Sequence, residues 1–102
     1  MEQIGATANR APRSRICTSM NKPQIAAILN ARLADAIDLR SQVKQAHWNL
    51  RSPQFIALHE LLDAIAGRLE AHIDDLAERS VQLGTPAQGT ARQAVAASTL
   101  PE

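Results

Sequence analysis

Three histidines occur in the 102 residues, and two of them, His47 and His59, fall within one stretch, KQAHWNLRSPQFIALHELLD, residues 44–63. Asp63 follows His59 by one helical turn, and Asp74 and Glu78 stand one turn apart further on. Side chains four apart on a helix reach one ion together. Imidazole with carboxylate is a donor set for iron, zinc or manganese, and carboxylates favour the harder, oxidised iron. With His59 at zero on a helical wheel, Asp63 falls near about 40°, Glu70 near about 20°, Asp74 near about 60° and Glu78 near about 100°. Leu58, Leu62, Ile65, Leu69, Ile73 and Leu76 of the same segment lie between about −120° and −40°, so the polar stripe borders an apolar face. Carboxylates in such a place are costly unless they are paired or bound to a cation.

Eleven residues separate Asp63 from Asp74, about 16 Å along a helix, so both pairs cannot meet at one ion within a single chain. A shared site needs a second, antiparallel chain. His47, His59 and Asp63 then come from one subunit, with Asp74 and Glu78 of the partner subunit, and a two-fold axis creates two such sites at once. The competing reading is plainer: border histidines hydrogen-bonded for packing, and carboxylates paired with arginines. His72 falls near about −140°, away from the stripe, as ordinary surface.

The elements that must position these residues are two long helices. Asn21 offers an N-cap with Pro23 in the first turn, where the missing N–H costs nothing. Ile25, Leu29, Leu33, Ile37, Val43 and Leu50 then recur at helical spacing. Pro53 ends this helix and opens the next, with Ser52 as its cap. Leu58, Leu62, Ile65, Leu69, Ile73 and Leu76 form one face of the second helix, with Arg68, Asp75 and Arg79 opposite. Gly84 stops it, ahead of Thr85 and Pro86. Each helix is expected to run to about 30 residues, or about 45 Å, and the short break makes them antiparallel neighbours. GTARQAVAAST suits a brief further helix. Each hairpin leaves an apolar face that needs further helices, from this chain or another.

Composition agrees with an all-α fold. Apolar residues make up 45% of the chain and aromatics 2%, so the core is aliphatic, which favours helices over a β-sandwich. One domain is the upper bound at this length. No apolar run is long enough to span a membrane, and the N-terminus carries no signal-like apolar segment. The single cysteine, Cys17, excludes an internal disulfide and suits a reducing cytoplasm. Residues 1–21 show no periodicity and read as a flexible arm, ahead of a helical domain over 22–102. Arg10, Arg13, Arg15 and Lys22 stand against Glu2 alone, a local balance of +3 in a chain of net charge +1. That polarity suits DNA or another polyanion.

The stretch quoted above, followed by HIDDLAERSVQLG, resembles the family of DNA-binding proteins from starved cells (Dps), the mini-ferritins of the ferritin-like superfamily. The resemblance runs from about residue 22 to the last residue. It implies a ferritin-like four-helix bundle, of which this chain holds the first helical hairpin and the short helix after it, and so looks truncated. It implies a ferroxidase centre between two subunits, with His47, His59 and Asp63 from one and Asp74 and Glu78 of the partner subunit, and Trp48 beside it. Ferrous iron oxidised preferably by hydrogen peroxide, ferric iron stored in a twelve-subunit shell, and DNA protected in stressed cells are the implied activities. Basic arms that bind DNA imply a cytoplasmic, nucleoid-associated protein. Ser52 stands where the family commonly has glycine. The alternatives are a non-enzymatic DNA-binding or self-associating helical hairpin, and a nonfunctional fragment.

Overall fold

A computed structural model describes residues 20–51, 53 and 55–102. The basic residues Arg10, Arg13 and Arg15, the cap expected at Ser52 and most of the 1–21 arm lie outside the described residues. Three helices follow in order: α1 (Lys22–Trp48), α2 (Phe55–Gln82) and α3 (Ala91–Ala97). All described secondary structure is helical, as the aliphatic composition favoured.

The expected signals start α1. Asn21 accepts from the Gln24 backbone N–H at 2.9 Å, while the Asn21 N–H donates to Gln24 Oε1 at 2.9 Å. This reciprocal capping box satisfies two otherwise orphaned donors. The helix ends at Trp48, earlier than the proline at 53 had implied. The Asn49 side chain donates to the Gln45 carbonyl at 2.8 Å, and its backbone N–H bonds the carbonyls of Gln45 and Ala46. Asn49 thereby closes the last turn before Pro53 can act. For its part, Pro53 sits in a turn outside α2, whose first residue is Phe55.

Gly84 ends α2 as expected, with φ +91°. Its N–H reaches the Val81 carbonyl at 2.9 Å, and the Thr85 N–H reaches the Ser80 carbonyl at 3.1 Å. Those two bonds are a Schellman motif, whose positive φ only glycine adopts without strain. The chain then folds back onto α1. Asn30 donates to Ser80 Oγ and to the Pro86 carbonyl and accepts from the Gln88 N–H. A second capping box, Thr90 with Gln93, starts α3.

Contacts between α1 and α2 pair Asn30 with Ser80, Arg40 with Glu70, Lys44 with Asp63 and His47 with His59. One number rises as the other falls, so the helices are antiparallel. Small residues line their seam: Ala26, Ala34, Ala66 and Ser80 are buried together with Leu33. Stepping around each helix from the inward-facing Leu33 and Ala66 divides the hairpin into two sides. One side carries Ile25, Leu39 and Val43 of α1 with Leu58, Leu61, Ile65 and Leu76 of α2. Leu39 and Leu61 are exposed there, so the apolar face expected to need covering is open among the described residues. The other side carries Asp63, Asp74 and Glu78, and α3 covers its α1 flank. Ala94 is buried against α1, and a side chain at Gly89 would press on Ile37 Cδ1 at 3.2 Å.

Candidate metal centre

His47 lies in the last turn of α1, and His59 in the second turn of α2. The hairpin brings them face to face. Their rings stack with centroids 3.7 Å apart at 21°, and His47 Nδ1 lies 2.9 Å from the His59 carbonyl oxygen. A carbonyl can only accept, so His47 Nδ1 donates, and in the neutral ring this tautomer puts the lone pair on Nε2. Orientation of one ring nitrogen by a backbone carbonyl is the usual support of a metal-binding imidazole. Nδ1 of His59 is buried and has no hydrogen-bond partner. An unsatisfied buried nitrogen is costly unless something binds it. This orphaned atom fits an imidazole–carboxylate donor set for iron.

Asp63 stands one turn beyond His59 but turns to α1, where Lys44 Nζ donates to Oδ1 at 2.9 Å. That hydrogen bond first, and the ammonium charge second, hold the Asp63 carboxyl below the usual carboxylate range. Lys44 also lies 5.8 Å from the centroid of the exposed Trp48 ring. One turn further along the seam, Arg40 pairs with Glu70. Two of the stripe's four carboxylates therefore have cations from α1. The stripe had been placed at a packing border, but Asp63, Glu70, Asp74 and Glu78 are all exposed. No element among the described residues covers that flank of α2.

The structure thus unites His47 with His59, keeps Asp63 nearby on Lys44, and leaves Asp74 and Glu78 further along α2. Among the described residues no group of three or more histidine, cysteine or acidic side chains gathers tightly enough to hold a metal ion. Lys22 is exposed in the first turn of α1, and His72 is exposed on α2. Sequence reasoning passed over Lys44 and Phe55. Each had a usable signal: Lys44 precedes His47 by three residues and Phe55 precedes His59 by four, on the same helix faces. Phe55 stacks on His59 at 4.7 Å and 21°.

The profile of the ferritin-like domain family matches residues 26–102. A DNA protection during starvation protein of Agrobacterium fabrum is 54% identical over 78 residues, covering 76% of this chain and 48% of that protein. DNA protection during starvation protein 2 of Deinococcus radiodurans is 40% identical over 81 residues, 79% of this chain and 33% of its own length. The fine tangled pili major subunit of Haemophilus ducreyi is 40% identical over 78 residues, 76% of this chain and 41% of its own length. The chain spans less than half the length of each of these three relatives. Among the described residues no helix is long and apolar enough to cross a membrane.

Proposed function

Because this chain belongs to the ferritin-like family, among the Dps mini-ferritins, we propose that it is a subunit that binds and oxidises ferrous iron between two copies and stores the ferric product. The observation that carries this reading is the histidine pair, one imidazole aimed by a backbone carbonyl and the other with an unpartnered buried nitrogen. His47, His59 and Asp63 supply one half of the site, and Asp74 and Glu78 of the partner subunit supply the other. Iron is the substrate. Two ferrous ions each give up one electron, hydrogen peroxide accepts both with two protons, its O–O bond breaks, and two waters leave. Carboxylates then favour the harder ferric product. Removing iron and peroxide together protects DNA from hydroxyl radicals, and a dodecameric shell provides the storage volume.

Ferrous iron with peroxide is expected to give a fast rise in ferric absorbance. His59→Ala combined with Asp63→Ala removes the fast phase while leaving the helical circular dichroism in place. Equal rates in both proteins sink the proposal.

A second reading draws on the ion pairs Lys44–Asp63 and Arg40–Glu70, in which the acidic stripe serves packing. The chain is then a self-associating hairpin that binds DNA through Arg10, Arg13, Arg15 and Lys22, in a nucleoid-associated role. A gel shift with residues 1–21 deleted separates the two. Lost DNA binding with iron oxidation intact assigns two independent functions, whereas no shift with either protein removes DNA from the account.

A further inference from the structure

We propose that Phe55 is a positioning residue for His59, an inference that rests on the metal-centre reading above. Phe55 opens α2 and lies one turn before His59, with the two rings 4.7 Å apart at 21°. His47 stacks on the same imidazole at 3.7 Å and 21°. Two rings at those spacings cannot share one face of an imidazole without overlapping each other. His59 is therefore the middle layer of a three-ring column, with His47 on one face and Phe55 on the other. Aromatic rings hold offset-stacked geometries at the 4.7 Å separation of the Phe55 pair, and the histidine pair is closer still at 3.7 Å.

The need for this column is visible in the hydrogen bonds. His47 is oriented by the His59 carbonyl, but the His59 ring has no partner for Nδ1. A hydrogen bond at a ring nitrogen ordinarily fixes a metal-binding imidazole, as at His47, whereas Nδ1 of His59, the nitrogen read above as open to the metal, makes none. At His59 the two flanking rings provide the orientation instead. Phe55 is 42% exposed and the central seam is built from other residues, so its flat face serves the column more than the core.

Zinc(II), which is redox-inert, is titrated calorimetrically into the full chain as wild type, Phe55→Leu and Phe55→Tyr. In parallel, NMR of the metal-free proteins reads the ring-current shift on the His59 ring protons. Phe55→Leu keeps an apolar side chain but loses the flat ring. It is expected to weaken zinc binding about tenfold, the scale of losing an orienting partner, and to reduce the His59 ring shift to the part that His47 causes. Phe55→Tyr restores both, which a loss of general packing would not predict. Unchanged affinity in Phe55→Leu, or a loss that Phe55→Tyr does not repair, overturns the proposal. If the wild type binds no zinc, the metal-centre reading falls. The ring shift then decides alone, and an identical shift in Phe55→Leu overturns the column.

Discussion

At the scale of single residues, Lys44 decides how available the carboxylate of Asp63 is. A cation reaching Asp63 must displace or share the Lys44 ammonium, 2.9 Å away. Asp63 is largely solvent-exposed, so the pair is screened and modest. Lys44→Met therefore removes a competitor and is expected to tighten zinc binding by a few-fold at most, read by calorimetry. Weaker binding in that variant would show that Lys44 helps to build the site instead of obstructing it. His47 and His59 differ from Asp63 in this respect, because their competing partners are a backbone carbonyl and neighbouring rings, which leave ring nitrogens free.

Elements are joined by clasps from outside the helices. Past α3, the Thr99 N–H donates to Asp35 Oδ1 at 2.7 Å, and Ser98 Oγ donates to Asp38 Oδ2 at 2.6 Å. Gln42 adds a bond to the Pro101 carbonyl at 3.0 Å. Together they strap the segment after α3 along α1. The Thr99 backbone bond is the largest cause holding the Asp35 carboxyl below its ordinary value, with Thr99 Oγ1 and Arg32 adding to it against partial burial. A depressed folded-state value means the clasp contributes fully above the unfolded carboxylate range and is lost as pH falls through the lowered value. Amide exchange at Thr99 is thus expected to be slow near neutrality and to lose its protection only in acid below the ordinary carboxylate range. Asp35→Ala should expose the same amide at neutral pH. Protection that persists in Asp35→Ala would assign the strap to Asp38 and Gln42.

As a whole, the molecule is a slab with extents of 61 × 30 × 22 Å and a radius of gyration of 18.6 Å, against about 13 Å for a compact domain of this length. Its interior is thin. Among the described residues Leu33 and Ser80 are the largest fully buried side chains, while Ile28, Leu39 and Leu61 are each more than two-fifths exposed. Long helices are stabilised mainly by burying an amphipathic face, and among the described residues one face of the hairpin is open. The chain is expected to associate as its concentration rises, with helix content rising alongside, as sedimentation and circular dichroism would record. Leu39→Glu with Leu61→Glu should suppress that association. A monomer that unfolds cooperatively at all concentrations would contradict the expectation.

Local chemistry made much of this readable in advance. Asn21 with Gln24, Gly84 with Thr85, and the leucine and isoleucine period act within a few residues, through backbone dihedrals and orphaned N–H and carbonyl groups. They located two long helices and the end of the second before any contact was known. The spacing of His47 and His59 on either side of the break placed both at the end of the hairpin where the fold stacks them. Other features depended on how one helix sits against another. Asn49 ended α1 ahead of Pro53, Ala26, Ala34, Ala66 and Ser80 formed the seam, and Lys44 and Arg40 took the carboxylates that a single wheel left unpaired. A helical wheel gives the direction of each side chain but not the register of its neighbour. That register is set by burial and packing across the hairpin, so the ion pairs and the ring column around His59 emerged only in the tertiary structure.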